Sequence, residues 1–379
     1  MPSHIPSLTP LRGIAALFIV LHSYTAYLLP GIGASIEQYS QFLKNSYLWV
    51  DFFFILSGFV LTHVYQDSFR QSISSKKYRK FILARFARIY PLHIFMLGAF
   101  VLFEIASIGL FIVQNNLEVL LSGGSTYEPF GDNHSIPSLL TNIFLLQAIH
   151  EITTWNEPAW SISAEWIAYI VFPAVACFVL GRTNKVCGLI YVATLVALYI
   201  LIELTRGHLD FAGYPSFIRC ILECVLGITL YHFHRSSSGH HFFSSSQLFF
   251  VTFTVLLSVM HLGLHDILTI PLLSLLIIIA AKNRGLVEAA LNSKPMIFLG
   301  DISYSIYMTH WLIQYVTLKT WGKLFHSEFG ENMSYNESLA VLALYIMLVV
   351  VVSWATYNII EKPMRYRLKN SPIFNRFIK

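Results

Sequence analysis

Apolar runs of about twenty residues recur from one end of this chain to the other, and they limit the fold more than any motif does. At about 1.5 Å of rise per residue, such a run spans the roughly 30 Å hydrocarbon layer of a bilayer. Segments in that layer must satisfy their own backbone hydrogen bonds, and continuous rather than alternating apolar character selects helices over barrel strands. Ten spans can be drawn, at about 11–30, 48–66, 81–113, 160–181, 186–204, 215–233, 247–263, 266–281, 296–318 and 338–360. Of the 379 residues, 55% are hydrophobic and 12% charged, with a mean hydropathy of +0.61, which no soluble domain of this size matches. The expected fold is all-α and polytopic, with about ten transmembrane helices. It is read as one domain over 1–379, with a core of about 8–363 and a short basic tail, 364–379. The first run reads as a retained span, because no small-residue cleavage site follows it.

The net charge of +5 says little; its placement says more. One set of connections, with the tail, holds 17 Lys and Arg, from Arg70 through Lys379, and the alternate set holds Lys44, Arg206, Lys319 and Lys323. The positive-inside rule then predicts both termini in the cytoplasm, which an even number of crossings permits. Locally, Thr9 is expected to cap the first helix with Pro10 at its first position. Pro91 is expected to kink the third span and Pro363 to end the last. Trp155, Trp160 and Trp166 sit where an aromatic belt belongs. Residues 114–159 form the longest connection on the far side, and 139–150 reads as a re-entrant or interfacial segment. The four cysteines, Cys177, Cys187, Cys220 and Cys224, read as packing residues. The loop histidines His232, His234, His240 and His241 read as solvated, and no metal site is expected, since no carboxylate or thiolate completes a ligand set.

Polar residues inside the spans are the informative ones. Arg in mid-bilayer costs roughly 2.5 kcal/mol or more on insertion scales, so an ionisable side chain there needs a reason. Arg12 opens the first span and His22 lies well inside it. His22 can be a packing histidine bonded to a neighbouring helix, or a general base whose neutral imidazole takes a proton from a hydroxyl. Arg85 and Arg88 are three apart on one helix face. They can snorkel to headgroups, or join Arg12 in a site for a polyphosphate, since a guanidinium binds phosphate bidentately. Glu165 is either a functional carboxylate or the partner of a buried cation such as Arg219. His310 can bridge spans, and Asp51 sits at a span end where a structural role is expected. Arg12 and His22 are ten residues apart, about 15 Å along a helix. An anion held by the arginines would reach His22 through a thin arm of that length; acyl-coenzyme A is one ligand of that shape among several.

The segments LRGIAALFIVLH, WVDFFFILSGFV, RFARIYPLH, WSISAEW, LGDISYSIYMTHW and the terminal EKP, in this order, resemble the integral membrane acyltransferase-3 family. The resemblance runs from residue 8 to about 363, in the standalone form without a fused hydrolase-like domain. It implies ten core helices, an acyl-CoA donor (acetyl-CoA the expected one) and no permanently bound cofactor. The implied reaction is O-acylation of a hydroxyl on a cell-envelope carbohydrate at the bacterial inner membrane. Carried over by position, His22 is similar to the family's catalytic histidine, Arg12 to its first-helix arginine, Arg85 and Arg88 to its RxxR pair, and Glu165 to its acidic residue. One departure matters. The family separates the first arginine and histidine by eleven positions, and here Ser23 holds the aligned place. Ten positions leave Arg12 and His22 about 80° apart around the helix. The competing reading is a transporter or flippase of a lipid-linked sugar, where buried Arg, His and Glu are equally expected. Nothing points to nucleic acid, and the oligomeric state is left open.

Overall fold

The computed structural model describes residues 5–115, 130–131, 134–149, 154–235, 240–372 and 374, and of residues 114, 115, 240 and 241 the backbone alone. The expected features at 116–129, 132–133 and 150–153, and the side chains of His240 and His241, lie outside the described residues. Among the described residues there is helix and connection but no strand. Seven helical stretches are long and apolar enough to cross a membrane: Leu8–Leu28, Lys44–Phe69, Ser75–Val113, Ala159–Leu180, Asn184–Leu204, Tyr214–Arg235 and Tyr335–Lys369. The other three expected spans are helical but differ from the expectation. Ser246–His261 and Thr269–Lys282 are only 16 and 14 residues long, and the ninth is broken. The chain is an all-α polytopic membrane protein.

We number the helices α1 (Leu8–Ser23), α2 (Pro30–Glu37), α3 (Trp49–Phe69), α4 (Ser75–Asn115), α5 (Ile136–Ile143), α6 (Ala159–Leu180) and α7 (Asn184–Leu204). There follow α8 (Tyr214–Arg235), α9 (Ser246–His261), α10 (Thr269–Lys282), α11 (Lys294–Asp301), α12 (Ser303–Phe325), α13 (Tyr335–Thr356) and α14 (Lys362–Lys369). Basic connections mark one face of the bundle; the opposite one is called here the far face.

Several local expectations are corrected. α1 starts one residue before Thr9, with Ser7 at its N-cap, so Pro10 stands third; no bond is lost, because first-turn N–H groups have no intrahelical partner. α1 widens into a π turn at Tyr24–Leu28 before Pro30 opens α2. α4 continues as helix through Pro91 for 41 residues, about 60 Å, more than a bilayer needs. The expected 296–318 span breaks at Ile302 into α11 and α12. Pro363 does not end the last helix. A π turn at Tyr357–Glu361 precedes it, and as the second residue of α14 it again loses no bond. Trp155 is no belt residue: it is 1% exposed and its indole N–H donates to Ser138 Oγ at 3.0 Å. His234 packs its ring against Phe59 and Tyr231 rather than standing in solvent. All four cysteines are free thiols.

Two crossings hold the bundle. α3 and α8 meet at Gly58 and Gly227, where a Cβ on Gly227 would lie 2.1 Å from the Ile55 carbonyl oxygen. α1 and α11 meet at Gly13 and Gly300, where a Cβ on Gly300 would lie 2.2 Å from the Thr9 carbonyl oxygen. Small residues at helix crossings bring backbones together, and packing rather than hydrophobic expulsion drives association in lipid. Gly227→Ala forces α3 and α8 apart and should destabilise the detergent-purified protein by about 1–3 kcal/mol, read as a fall in its thermal midpoint. An unchanged midpoint contradicts this packing.

Candidate active site

α1, α3, α4, α6 and α12 enclose a cleft of about 840 Å³ that lies toward the basic face. Arg12, Arg85, Arg88 and Glu165 all line it, with Ser57, Ser161, Ser303, Tyr169, Tyr304 and Tyr307. The four sequence candidates come from three helices. Glu165 accepts a hydrogen bond from Ser57 Oγ at 2.7 Å. Arg88 is ion-paired with Glu361, which the π turn has rotated inward to 1% exposure and which also accepts from Ser305 Oγ at 2.9 Å. Arg85 has no such partner among the described residues. Its guanidinium lies between the rings of Tyr65 and Tyr169, at 5.7 and 6.0 Å, and its buried Nε is unbonded. No carboxylate lies within ion-pair distance of Arg12 among the described residues. The break at Ile302 aims the first turn of α12 at the same space, where the buried Ser303 hydroxyl is also unbonded. Three guanidiniums and a helix N-terminus against two carboxylates leave a site prepared for an anion.

His22 does not line this cleft. It is half-buried one level farther from the basic face, and its Nδ1 lies 2.9 Å from the Leu43 carbonyl oxygen. A carbonyl can only accept, so Nδ1 carries the proton and the neutral ring offers Nε2 as its basic nitrogen. Its ring meets Tyr47 edge-on at 6.0 Å, and the Tyr47 hydroxyl donates to Asp266 at 2.8 Å. Ser23, the aligned residue, turns instead to Gln314, 2.9 Å away. His310 is 2% exposed, bonds through Nδ1 to the Ile306 carbonyl at 3.2 Å, and lies between Tyr24 and Tyr307.

Asp51 is fully buried and holds Arg219 through two hydrogen bonds, at 2.9 and 2.6 Å, and Glu223 approaches the same Nε at 3.4 Å. Arg219 therefore does not pair with Glu165. Sequence reasoning missed Glu361 and Ser57. Glu361 stands in the EKP segment, but a carboxylate beside a lysine at a span end reads as interfacial until the π turn is seen.

A second cleft, of about 1540 Å³, opens on the far face. Tyr27, Trp160 and Tyr214 line it, together with Glu157, Arg206 and Asp210. Asp210 also acts electrostatically on His22. Residues that line the two clefts are neighbours in the chain and in contact. Ser161 lines the first and Trp160 the second. Trp160 packs on Phe54 at 6.1 Å, with the Arg219 guanidinium over both rings. Phe53 and Tyr307, 6.2 Å apart, both line the first cleft.

The all-helical membrane bundle thus carries a guanidinium-lined cleft on one face and an aromatic, acidic cleft on the other. The profile of the acyltransferase-3 family, described as an acyltransferase domain, matches residues 5–358, and the chain belongs to that family. It is 27% identical to the acyltransferase MdmB of Streptomyces mycarofaciens, across 97% of this chain and 94% of that protein. It is 21% identical to the O-acetyltransferase OatA of Staphylococcus aureus across 96% of this chain, which spans 58% of OatA's length. A shorter match, 31% identical over 45% of this chain, joins it to protein 2 in the picA locus of Rhizobium radiobacter. No solved structure matches.

The buried charge cluster yields a prediction. Arg219→Met strands Asp51 and Glu223 in the interior, and should lower stability in detergent by about 3–5 kcal/mol, as breaking a buried pair does. Thermal unfolding checks it; a loss below about 1 kcal/mol would mean that the pair is not formed.

Proposed function

We propose that the protein moves an acyl group, acetyl in the first instance, from cytosolic acyl-CoA to a hydroxyl of a cell-envelope carbohydrate at the bacterial inner membrane. The carrying observation is the pair of clefts whose linings touch where Phe54 packs on Trp160. The basic-face cleft suits the donor: its arginines take the phosphates, and about 15 Å of pantetheine arm is the length from Arg12 to His22. The far cleft suits a sugar, with aromatic faces for stacking and carboxylates to accept hydroxyl hydrogen bonds.

His22 acts as general base in this reading. Its Nε2 takes the acceptor's hydroxyl proton while that oxygen bonds to the thioester carbonyl carbon. The C–S bond breaks, and the thiolate leaves as the free thiol with the proton returned by the imidazolium. Glu165, on Ser57, balances Arg12 and Arg85 and orients them on the donor.

The test is transfer of labelled acetyl from acetyl-CoA to host glycan by purified protein. His22→Ala and His22→Gln should lower turnover by at least about a hundredfold while donor binding persists. Arg85→Ala should weaken donor affinity about tenfold or more, because it removes charge-assisted hydrogen bonds, and Arg88→Ala should weaken it less, because Glu361 already answers that guanidinium. Unimpaired transfer by both His22 variants removes the base. Movement of lipid-linked sugar without acyl transfer would replace the enzyme with a transporter.

A further inference from the structure

The seam between α4 and α14 carries charge that the donor cleft does not use. α4 runs away from the basic face and α14 runs toward it, and the two helices pack together. Arg88 meets Glu361 across the seam. One turn nearer the basic face, Arg85 precedes Arg88 by three positions and Arg365 follows Glu361 by four. Both spacings keep a helix face, so Arg365 stands opposite Arg85. The charges acting on Arg365 agree: those of Arg88 and Arg85 come ahead of that of Glu361. Lys369, a further turn along α14, feels Arg365, Arg85 and Arg88 in turn. Arg365 is partly buried and, among the described residues, has no hydrogen-bonded or ion-paired partner. Like charges held face to face at this depth repel, and a bound anion is what relieves them.

We propose that Arg365, with Arg85 and Lys369, forms a phosphate-binding site across the α4–α14 seam, separate from the Arg88–Glu361 pair. It deepens the reading above and rests on it: the phosphate is that of the donor's nucleotide head, held at the cytosolic mouth. An anionic lipid headgroup offers the same chemistry from another source. The basic tail segment is thereby part of the binding machinery and not only a topological signal.

Binding of adenosine 3′,5′-bisphosphate and of acetyl-CoA to the full-length protein in phosphatidylcholine discs, with and without phosphatidylglycerol, tests this. Arg365→Gln should weaken bisphosphate binding about tenfold, Arg365→Lys should recover part of it, and the thermal midpoint should stay unchanged. Lys369→Gln should cost less. If Arg365→Gln weakens only association with phosphatidylglycerol, the site stands and lipid is its occupant. Unchanged binding in Arg365→Gln, with binding lost in Arg85→Ala, overturns the seam site and leaves the donor reading intact. Binding untouched in all of these variants overturns both.

Discussion

A guanidinium inside a bundle that crosses hydrocarbon must be answered by something, and how each is answered sorts the structure into scaffold and site. Four arginines lie in the helices away from the basic loops. Arg219 is enclosed by Asp51 and Glu223, and its Nη1 also donates to the Leu209 carbonyl at 2.5 Å, which anchors the far-face connection before α8. Arg88 is answered by Glu361. Arg12 and Arg85 have no carboxylate at ion-pair distance among the described residues, and both open on the same cleft. Buried charge that the protein itself neutralises holds the bundle; buried charge that it leaves exposed to a cavity waits for a ligand.

Irregular backbone falls beside both clefts: Tyr27 of the first π turn lines the far one, Ser303 after the break lines the first, and Glu361 of the last π turn pairs with Arg88 in its wall. The π turn after α1, the break at Ile302 and the π turn before α14 each reorient residues toward the interior. Within a membrane, such departures are tolerated where protein or a polar cavity surrounds them. Here the break supplies a helix N-terminus and the last π turn supplies Glu361. Regular helices in the same places would point Glu361 elsewhere around the axis and leave Arg88 unanswered. π turns are rare and concentrate at functional positions.

Much of this was legible in the residues. Run length and charge placement disclosed the helical bundle, and the cost of buried Arg and Glu singled out Arg12, Arg85, Arg88 and Glu165, which do share one cleft. The ten-residue offset between Arg12 and His22 foretold that their side chains diverge, and His22 indeed turns to Leu43 while Arg12 enters the cleft. What could not be read were partnerships across long stretches of chain. Asp51 and Arg219 are 168 residues apart, and Ser57 and Glu165 108 apart, so no periodicity connects them. Trp155 misled because a tryptophan near a span end fits a lipid interface and a tight protein pocket equally well. Gly300, two residues before the break at Ile302, did not announce it, because a glycine inside an apolar run reads equally well as a helix-crossing residue.

The aromatic contact between Phe54 of the first cleft and Trp160 of the far one has a consequence for the membrane as an insulator. Two water-accessible hollows that approach each other from opposite sides concentrate the electrical potential difference across whatever lies between them. Were that contact to loosen or hydrate, ions would follow the shortened path and the cell would lose part of its proton gradient. Bulky aromatic rings in tight contact, rather than small residues, keep the seal, and the same requirement limits how wide any opening there can be and how long it can last.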